Sequence, residues 1–176
     1  MSAVFVTSNQ QFGRPSAIKK YKRPFETVGE MNKVLIEAWN SVVGKDDLVY
    51  VLGNLGWDPE STEECLNKLN GRIHLMLGED DAASVELSEI SDTTDKLTIS
   101  DKQIDIYQKS GIVFSHWPLT EWPLKRKGYI NAFGYYSNKL KTDHKKKIIN
   151  VNCDFWSFKP VKLSQMIALF QEIEKK

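Results

Sequence analysis

The sequence predicts an α/β fold built on a parallel sheet, and three observations carry that expectation. Short β-branched and aromatic runs alternate with segments of helical periodicity through the first half of the chain. The helical segments carry their own start and stop signals, so the order strand, helix, strand, helix, strand calls for right-handed crossovers between parallel neighbours. The second half is strand-rich, with short apolar runs at 97–99, 103–107, 111–115, 129–133 and 147–151.

Length and composition set the frame. With 176 residues, 41% of them hydrophobic and 27% charged, the chain is expected to form one domain, residues 1–176, that buries a real core. A formal net charge of +1 argues against nucleic acid as the main partner. The two cysteines, Cys65 and Cys153, form no C-x-x-C pair or Cys/His cluster, and Cys65 falls on the apolar side of a predicted helix as a buried thiol. The chain does not open on a charged segment followed by an apolar one, and no apolar run reaches membrane-spanning length. The expectation is a cytoplasmic protein without a membrane partner.

Ala3-Val4-Phe5-Val6-Thr7 reads as the first buried strand, emptying into Ser8-Asn9-Gln10-Gln11. Residues 16–24, with Lys19, Lys20, Lys22 and Arg23 around Tyr21, read as a solvated loop or helix face. Thr27 and Glu30 have capping-box spacing, and Met31, Val34, Leu35, Ala38, Trp39 and Val42 follow at three- and four-residue intervals, giving a helix with one apolar face. The run Val49-Tyr50-Val51-Leu52-Gly53-Asn54 is the central strand, stopping at a glycine followed by an amide. Ser61 and Glu64 are expected to cap the next helix, with Cys65, Leu66 and Leu69 inward and Gly71 past its end. Residues 73–77 form a third strand that ends at Gly78-Glu79-Asp80-Asp81. Residues 82–95 allow only a short helix around Val85, Leu87 and Ile90. Residues 139–147 read as an exposed, solubilising connection, and Pro160 and Ser164 introduce a last helix whose buried stripe is Met166, Ile167, Leu169, Phe170 and Ile173.

In an α/β protein, ligands and catalytic groups collect at the carboxyl ends of the strands. Here those ends read Ser8-Asn9-Gln10-Gln11-Phe12-Gly13, Leu52-Gly53-Asn54, Gly78-Glu79-Asp80-Asp81, Phe114-Ser115-His116-Trp117-Pro118 and Gly134-Tyr135-Tyr136-Ser137. In this order they resemble the calcineurin-like metallophosphoesterases, particularly the small single-domain members of phages and bacteria. The likeness extends through Arg23-Pro24-Phe25, Leu69-Asn70-Gly71-Arg72 and Asn152-Cys153-Asp154-Phe155-Trp156. It implies a two-sheet α/β/β/α sandwich, with mixed sheets face to face and helices outside.

In that family the strand ends read D-x-H, G-D, G-N-H-[DE], a lone H and G-H-x-H, and together hold two divalent metals. A bridging carboxylate offsets the repulsion of the two cations, which clamp the attacking and leaving oxygens of a phosphate ester. The resemblance places Asn9 and Gln11 at the D-x-H positions and Asn54 at the bridging aspartate. Glu79 stands at the ligand asparagine, Asp80 at the histidine that would protonate the leaving group, and Tyr135 and Ser137 at the last two histidines. His116 alone keeps its type, and Asp81 keeps an acidic residue beside the site. An amide brings no charge to offset two cations about 3.5–4 Å apart. The expectation is a retained scaffold without catalytic residues, metal or other cofactor: a pseudoenzyme that binds a protein partner, in a phage case a host protein in the host cytoplasm.

Trp117 and Trp122, beside the old site, are candidate binding anchors. Two alternatives keep a ligand in the cleft. In one, Glu79, Asp80 and Asp81 with His116 hold a single cation such as Mg²⁺ or Mn²⁺ as the centre of a remodelled phosphoesterase. In the other, Arg14, Arg23 and His116 donate to a nucleotide or phosphate without metal. His74, inside a strand, and His144, in the lysine-rich connection, have no metal-cluster spacing.

Overall fold

The computed structural model describes residues 2–90, 95–137, 140 and 142–174, the side chains of 88–90 and 172–174 excepted. The chain runs β1 (Val4–Thr7), α1 (Pro15–Tyr21), α2 (Val28–Asn40), β2 (Leu48–Leu52), α3 (Pro59–Lys68), β3 (Arg72–Met76), α4 (Ala82–Ile90), β4 (Leu97–Ser100), β5 (Ile104–Tyr107), β6 (Ile112–Ser115), β7 (Ile130–Phe133), β8 (Ile148–Asn150), β9 (Val161–Lys162) and α5 (Leu163–Glu174). One sheet has the order β4-β3-β2-β1-β9 and the other β5-β6-β7-β8. In each, one edge strand (β9, β5) is antiparallel to an otherwise parallel set.

The stepwise order β1, β2, β3, β4 explains the layering. Right-handed crossovers that always step the same way place their helices on the same face of the sheet. Phe5, Val49, Val51, Ile73, Leu75 and Leu97 accordingly point to one side, where they meet Met31, Leu35 and Trp39 of α2, Cys65 and Leu66 of α3, and Leu87 of α4. Because side chains alternate along a strand, Val6, Leu52 and Met76 point the other way and pack against Ile112, Phe114, Ile130, Ala132 and Ile149 of the second sheet. Leu163, Met166 and Phe170 of α5 complete this inter-sheet core. The outer face of the second sheet (Val113, Phe133, Ile148) is covered by Leu119, Trp122 and Tyr129. These lie on a loop with a 3-10 turn, Lys125–Lys127, so among the described residues a loop stands where the expected fourth layer would place helices.

Several local readings change. Thr27 Oγ1 accepts from Glu30 N–H at 3.1 Å, as expected, but the Glu30 carboxylate accepts from Glu26 N–H instead of closing the box on Thr27. The third helix is capped by Asp58, whose Oδ1 accepts from Ser61 N–H at 2.8 Å, not by Ser61 with Glu64. Pro59 sets the first turn there, so the acidic residue just before it is the better cap. Glu64 pairs with Lys68 one turn on. Residues 15–21 are a helix, and β9 was not legible because two residues carry no period. Burial pushes the Cys65 thiol up to about 12, as a packed cysteine requires. The expectations on Lys139 and Lys141, and on the side chains of Ile90 and Ile173, lie outside the described residues. No helix among the described residues is long and apolar enough to cross a membrane.

Candidate functional site

The five strand ends converge on one rim. Beyond β1 and β2 the two loops continue side by side: Asn9 N–H donates to Gly53 O at 3.0 Å and Gln11 N–H to Asn54 O at 3.1 Å. Asn9, Gln11 and Asn54 all have positive φ (59°, 57° and 62°), a region that Asn tolerates better than most side chains. Gly53 is held by packing as well: a Cβ there would lie 2.8 Å from Gly78 Cα and would strike the His116 ring.

The predicted ligand positions are joined to one another. Asn54 Nδ2 donates to Asn9 Oδ1 at 3.0 Å, and Asn54 Oδ1 accepts from Asp80 N–H at 3.0 Å. Asn9 Nδ2 and Ser8 Oγ both donate to Gly134 O. His116 Nδ1 donates to Leu52 O at 2.7 Å, and its Nε2 lies 2.6 Å from Glu79 Oε2, so both ring nitrogens are engaged. Arg14 donates to Gln11 Oε1 at 2.7 Å, pairs with Asp80 and lays its guanidinium 4.0 Å over the Trp57 ring. Asn9, Gln11, Asn54 and His116 are at most 2% exposed. The floor of the cleft is therefore a sealed layer of neutral amides, with one guanidinium laid against it.

The three consecutive acids take different directions. Asp80 faces Arg14 and Lys20, and Glu79 faces His116. Asp81 turns inward, where its carboxylate accepts from the N–H groups of Asn54, Gly78 and Leu55 at 2.6–2.8 Å. Burial raises the Asp81 carboxyl above the usual range, against the pull of those donors. Among the described residues, no group of three or more His, Cys, Asp or Glu side chains is arranged to hold a metal ion. The residues present do not fit a dinuclear centre: an uncharged amide, Asn54, occupies the bridging position, and Asn9, Gln11 and Asn54 spend their hydrogen bonds on groups of the rim itself. Nor do they fit a single-cation site using Asp81, which is committed to the backbone.

Two predicted binding residues do not face the cleft. Arg23 is buried, donating to Asn9 O at 2.6 Å and Gln10 O at 2.8 Å and to both Asp154 oxygens at 2.8 and 3.0 Å. A guanidinium with those partners clamps the loop after β1 and has no geometry left for a phosphate. Trp122 is 7% exposed, with Nε1 donating to Tyr129 O, and is core of the outer layer. Trp117 is different: 45% exposed, its ring packs at a tilt against Tyr135 at 4.6 Å and meets His116 edge-on at 5.0 Å. Ser137 Oγ accepts from Leu140 N–H.

No protein-family model matches the chain. It is similar to an uncharacterized protein of Methanocaldococcus jannaschii, 29% identical over 98% of this chain and 93% of that one. The Gene 66 protein of Mycobacterium phage L5 is 25% identical over 89% of this chain and 88% of its own length. Among solved structures, a protein of unknown function from Aquifex aeolicus superposes with a TM-score of 0.72 at 20% identity, covering 96% of this chain and all of that one. That likeness shows the fold.

Sequence reasoning missed two parts of the rim. Trp57, 47% exposed and stacked by Arg14, could have been noticed three residues beyond Asn54. The Tyr21, Tyr136 and Phe155 rings meet in sequence at 4.4 and 6.3 Å. They come from three distant segments, and no local pattern announces their meeting.

Proposed function

We propose that this chain is a metallophosphoesterase-type two-sheet scaffold, with a loop in place of its fourth, helical layer, that has lost its catalyst and works as a binding module for a protein partner. The observation that carries this reading is the amide floor. Positions Asn9, Gln11 and Asn54, where the resemblance requires charged or imidazole ligands, are neutral, buried and hydrogen-bonded within the rim. Arg14, a fixed cation, lies against Asp80 and Gln11 at their edge. Around that floor, Trp57, Trp117 and Phe155 are each at least 40% exposed, and exposed aromatic side chains at a rim are what protein interfaces use as anchors. Such a module needs no cofactor and would act in the cytoplasm, the host's if the chain is viral. The phage relative is compatible with a viral origin, and the archaeal relative equally with a cellular one.

The test has two arms. Hydrolysis of bis(p-nitrophenyl) phosphate with Mn²⁺ or Mg²⁺ should not exceed the protein-free rate. Turnover abolished by His116→Ala would overturn the loss of catalysis. In-cell crosslinking should recover a defined partner with the native chain and lose it with Trp57→Ala/Trp117→Ala at unchanged melting temperature. Equal recovery with both would remove the aromatic rim from the interface.

A further inference from the structure

A second interaction surface lies on the outer face of the second sheet, and its argument is independent of how the cleft is read. Among the described residues a loop covers that face where the expected fourth layer would place helices, and a cavity of about 470 Å³ lies there. Leu119, Trp122, Leu140 and Ile148 line it with apolar surface, and Lys125, Lys145 and Lys146 contribute to the same lining. Leu140 is 40% exposed. Its place is fixed by the backbone all the same, since its carbonyl accepts from Asn150 Nδ2 at 2.9 Å and its N–H donates to Ser137 Oγ at 3.1 Å. The chain thus holds an aliphatic side chain at the cavity without folding it into the core.

The charge of this part of the chain is one-sided. Residues 121–147 carry eight Lys or Arg side chains against two acids, Glu121 and Asp143, whereas the whole chain has a net charge of +1, so everything outside this stretch is net acidic. The fold gathers the excess into two turns. One is the 3-10 turn Lys125–Lys127. The other carries Lys145 and Lys146 and is closed by Asp143 N–H donating to Ile148 O at 3.0 Å and Ile148 N–H to Asp143 O at 3.1 Å. Both turns reach the cavity. Lys125 pairs with Glu121 and Lys146 with Asp143, which uses both acids of the stretch and leaves the excess positive; such exposed pairs hold weakly. Asn138, Lys139 and Lys141, outside the described residues, add no acid to it. An apolar cavity among basic turns suits a helix with an apolar stripe and acidic flanks, which would supply a helix to the layer that this face lacks. A nucleic acid would meet the charge and leave the apolar lining unused.

We propose that this face docks an acidic amphipathic helix of a protein partner, its apolar stripe on the cavity and its carboxylates toward the two basic turns. The probe is a fluorescein-labelled synthetic peptide of about 18 residues, long enough to form a helix, with leucines at i, i+3, i+4 and i+7 and glutamates on the remaining face. Titrated with the full chain and followed by anisotropy, it should bind with a dissociation constant of about 100 μM or below. The same composition with the stripe scrambled should bind about tenfold more weakly or worse. Lys145→Glu/Lys146→Glu should weaken the helical peptide by about tenfold or more, and Leu140→Ser by about threefold or more. These side chains are exposed, so the melting temperature should hold. Trp57→Ala/Trp117→Ala, at the rim, should leave the affinity unchanged. Absence of binding, equal affinity for the scrambled peptide, or no effect of the lysine reversals or of Leu140→Ser would each overturn the proposal. Loss of binding in the rim variant would move the peptide to the cleft, and tighter binding of a uridine-rich RNA of about 20 nucleotides would make the face a nucleic-acid surface; either result refutes it.

Discussion

Replacing Asp81 by alanine should be among the most damaging single changes in the chain, even though the residue sits in an acidic run that looks like surface. Its carboxylate is 2% exposed and accepts three backbone N–H groups, from Asn54, Leu55 and Gly78. Truncation strands those donors in the interior at about 1–3 kcal/mol each, roughly 3–9 kcal/mol before relaxation and water entry reduce it. A loss of about 4 kcal/mol is therefore expected, a large share of the about 5–15 kcal/mol that holds a domain together. At this chain length that corresponds to a fall in melting temperature of about 8–16 °C. Calorimetry and urea unfolding measure it, with Glu79→Ala as the comparison. Glu79 has one partner and a half-exposed carboxylate, so its loss should cost about 1 kcal/mol or less. If Asp81→Ala costs no more than Glu79→Ala, the three-donor clamp is not what holds the rim, and the inward assignment of Asp81 is wrong.

Gly53→Ala combines a positive φ with a Cβ 2.8 Å from Gly78 Cα. It should lose about 2–4 kcal/mol in urea unfolding and shift the His116 ring resonances; a neutral result would mean that the strand end is free to move. Asn54→Asp sets a carboxylate against Asn9 Oδ1 in place of the present amide donor and should cost about 2–3 kcal/mol. Millimolar Mn²⁺ should not restore the melting temperature, and full rescue by Mn²⁺ would show that the amide floor is one substitution from a metal site. Burial lowers the His74 pKa, so between that value and the ordinary one near 6.5 the unfolded chain holds more protons than the folded one. Stability should then rise with pH through that window and fall as pH drops below about 6.5, by at most roughly 1.4 kcal/mol per pH unit. In His74→Leu the difference between urea midpoints at about pH 5 and pH 7 should shrink, and an unchanged difference would assign the effect to other groups.

Much of the fold was legible because its causes are local. The β-branched run through Val51, the period of Met31, Leu35 and Trp39, and the Thr27 cap each follow from a few neighbouring residues, and the chain order of strands and helices then restricts the sheet. The cap of the third helix was misplaced because two acceptors compete within four residues and Pro59 decides between them. β9 was invisible because its partner, β1, is more than 150 residues away.

The candidate site divides in the same way. Sequence alone determined that Asn9, Gln11, Asn54 and His116 stand at strand ends and that the first three carry no charge, since both are properties of residue type and spacing. Only the tertiary structure decided where the neighbouring side chains point. Three successive carboxylates diverge because one backbone path leaves Asp81 facing buried N–H groups, Asp80 facing Arg14 and Glu79 facing His116. It also decided that Arg23 is a buried clamp on Asp154 while Arg14 lies in the rim, and that Trp117 is exposed while Trp122 is packed. A side chain's role depends on partners distant in the chain, and the pairings that select them are set only when the two sheets close on each other.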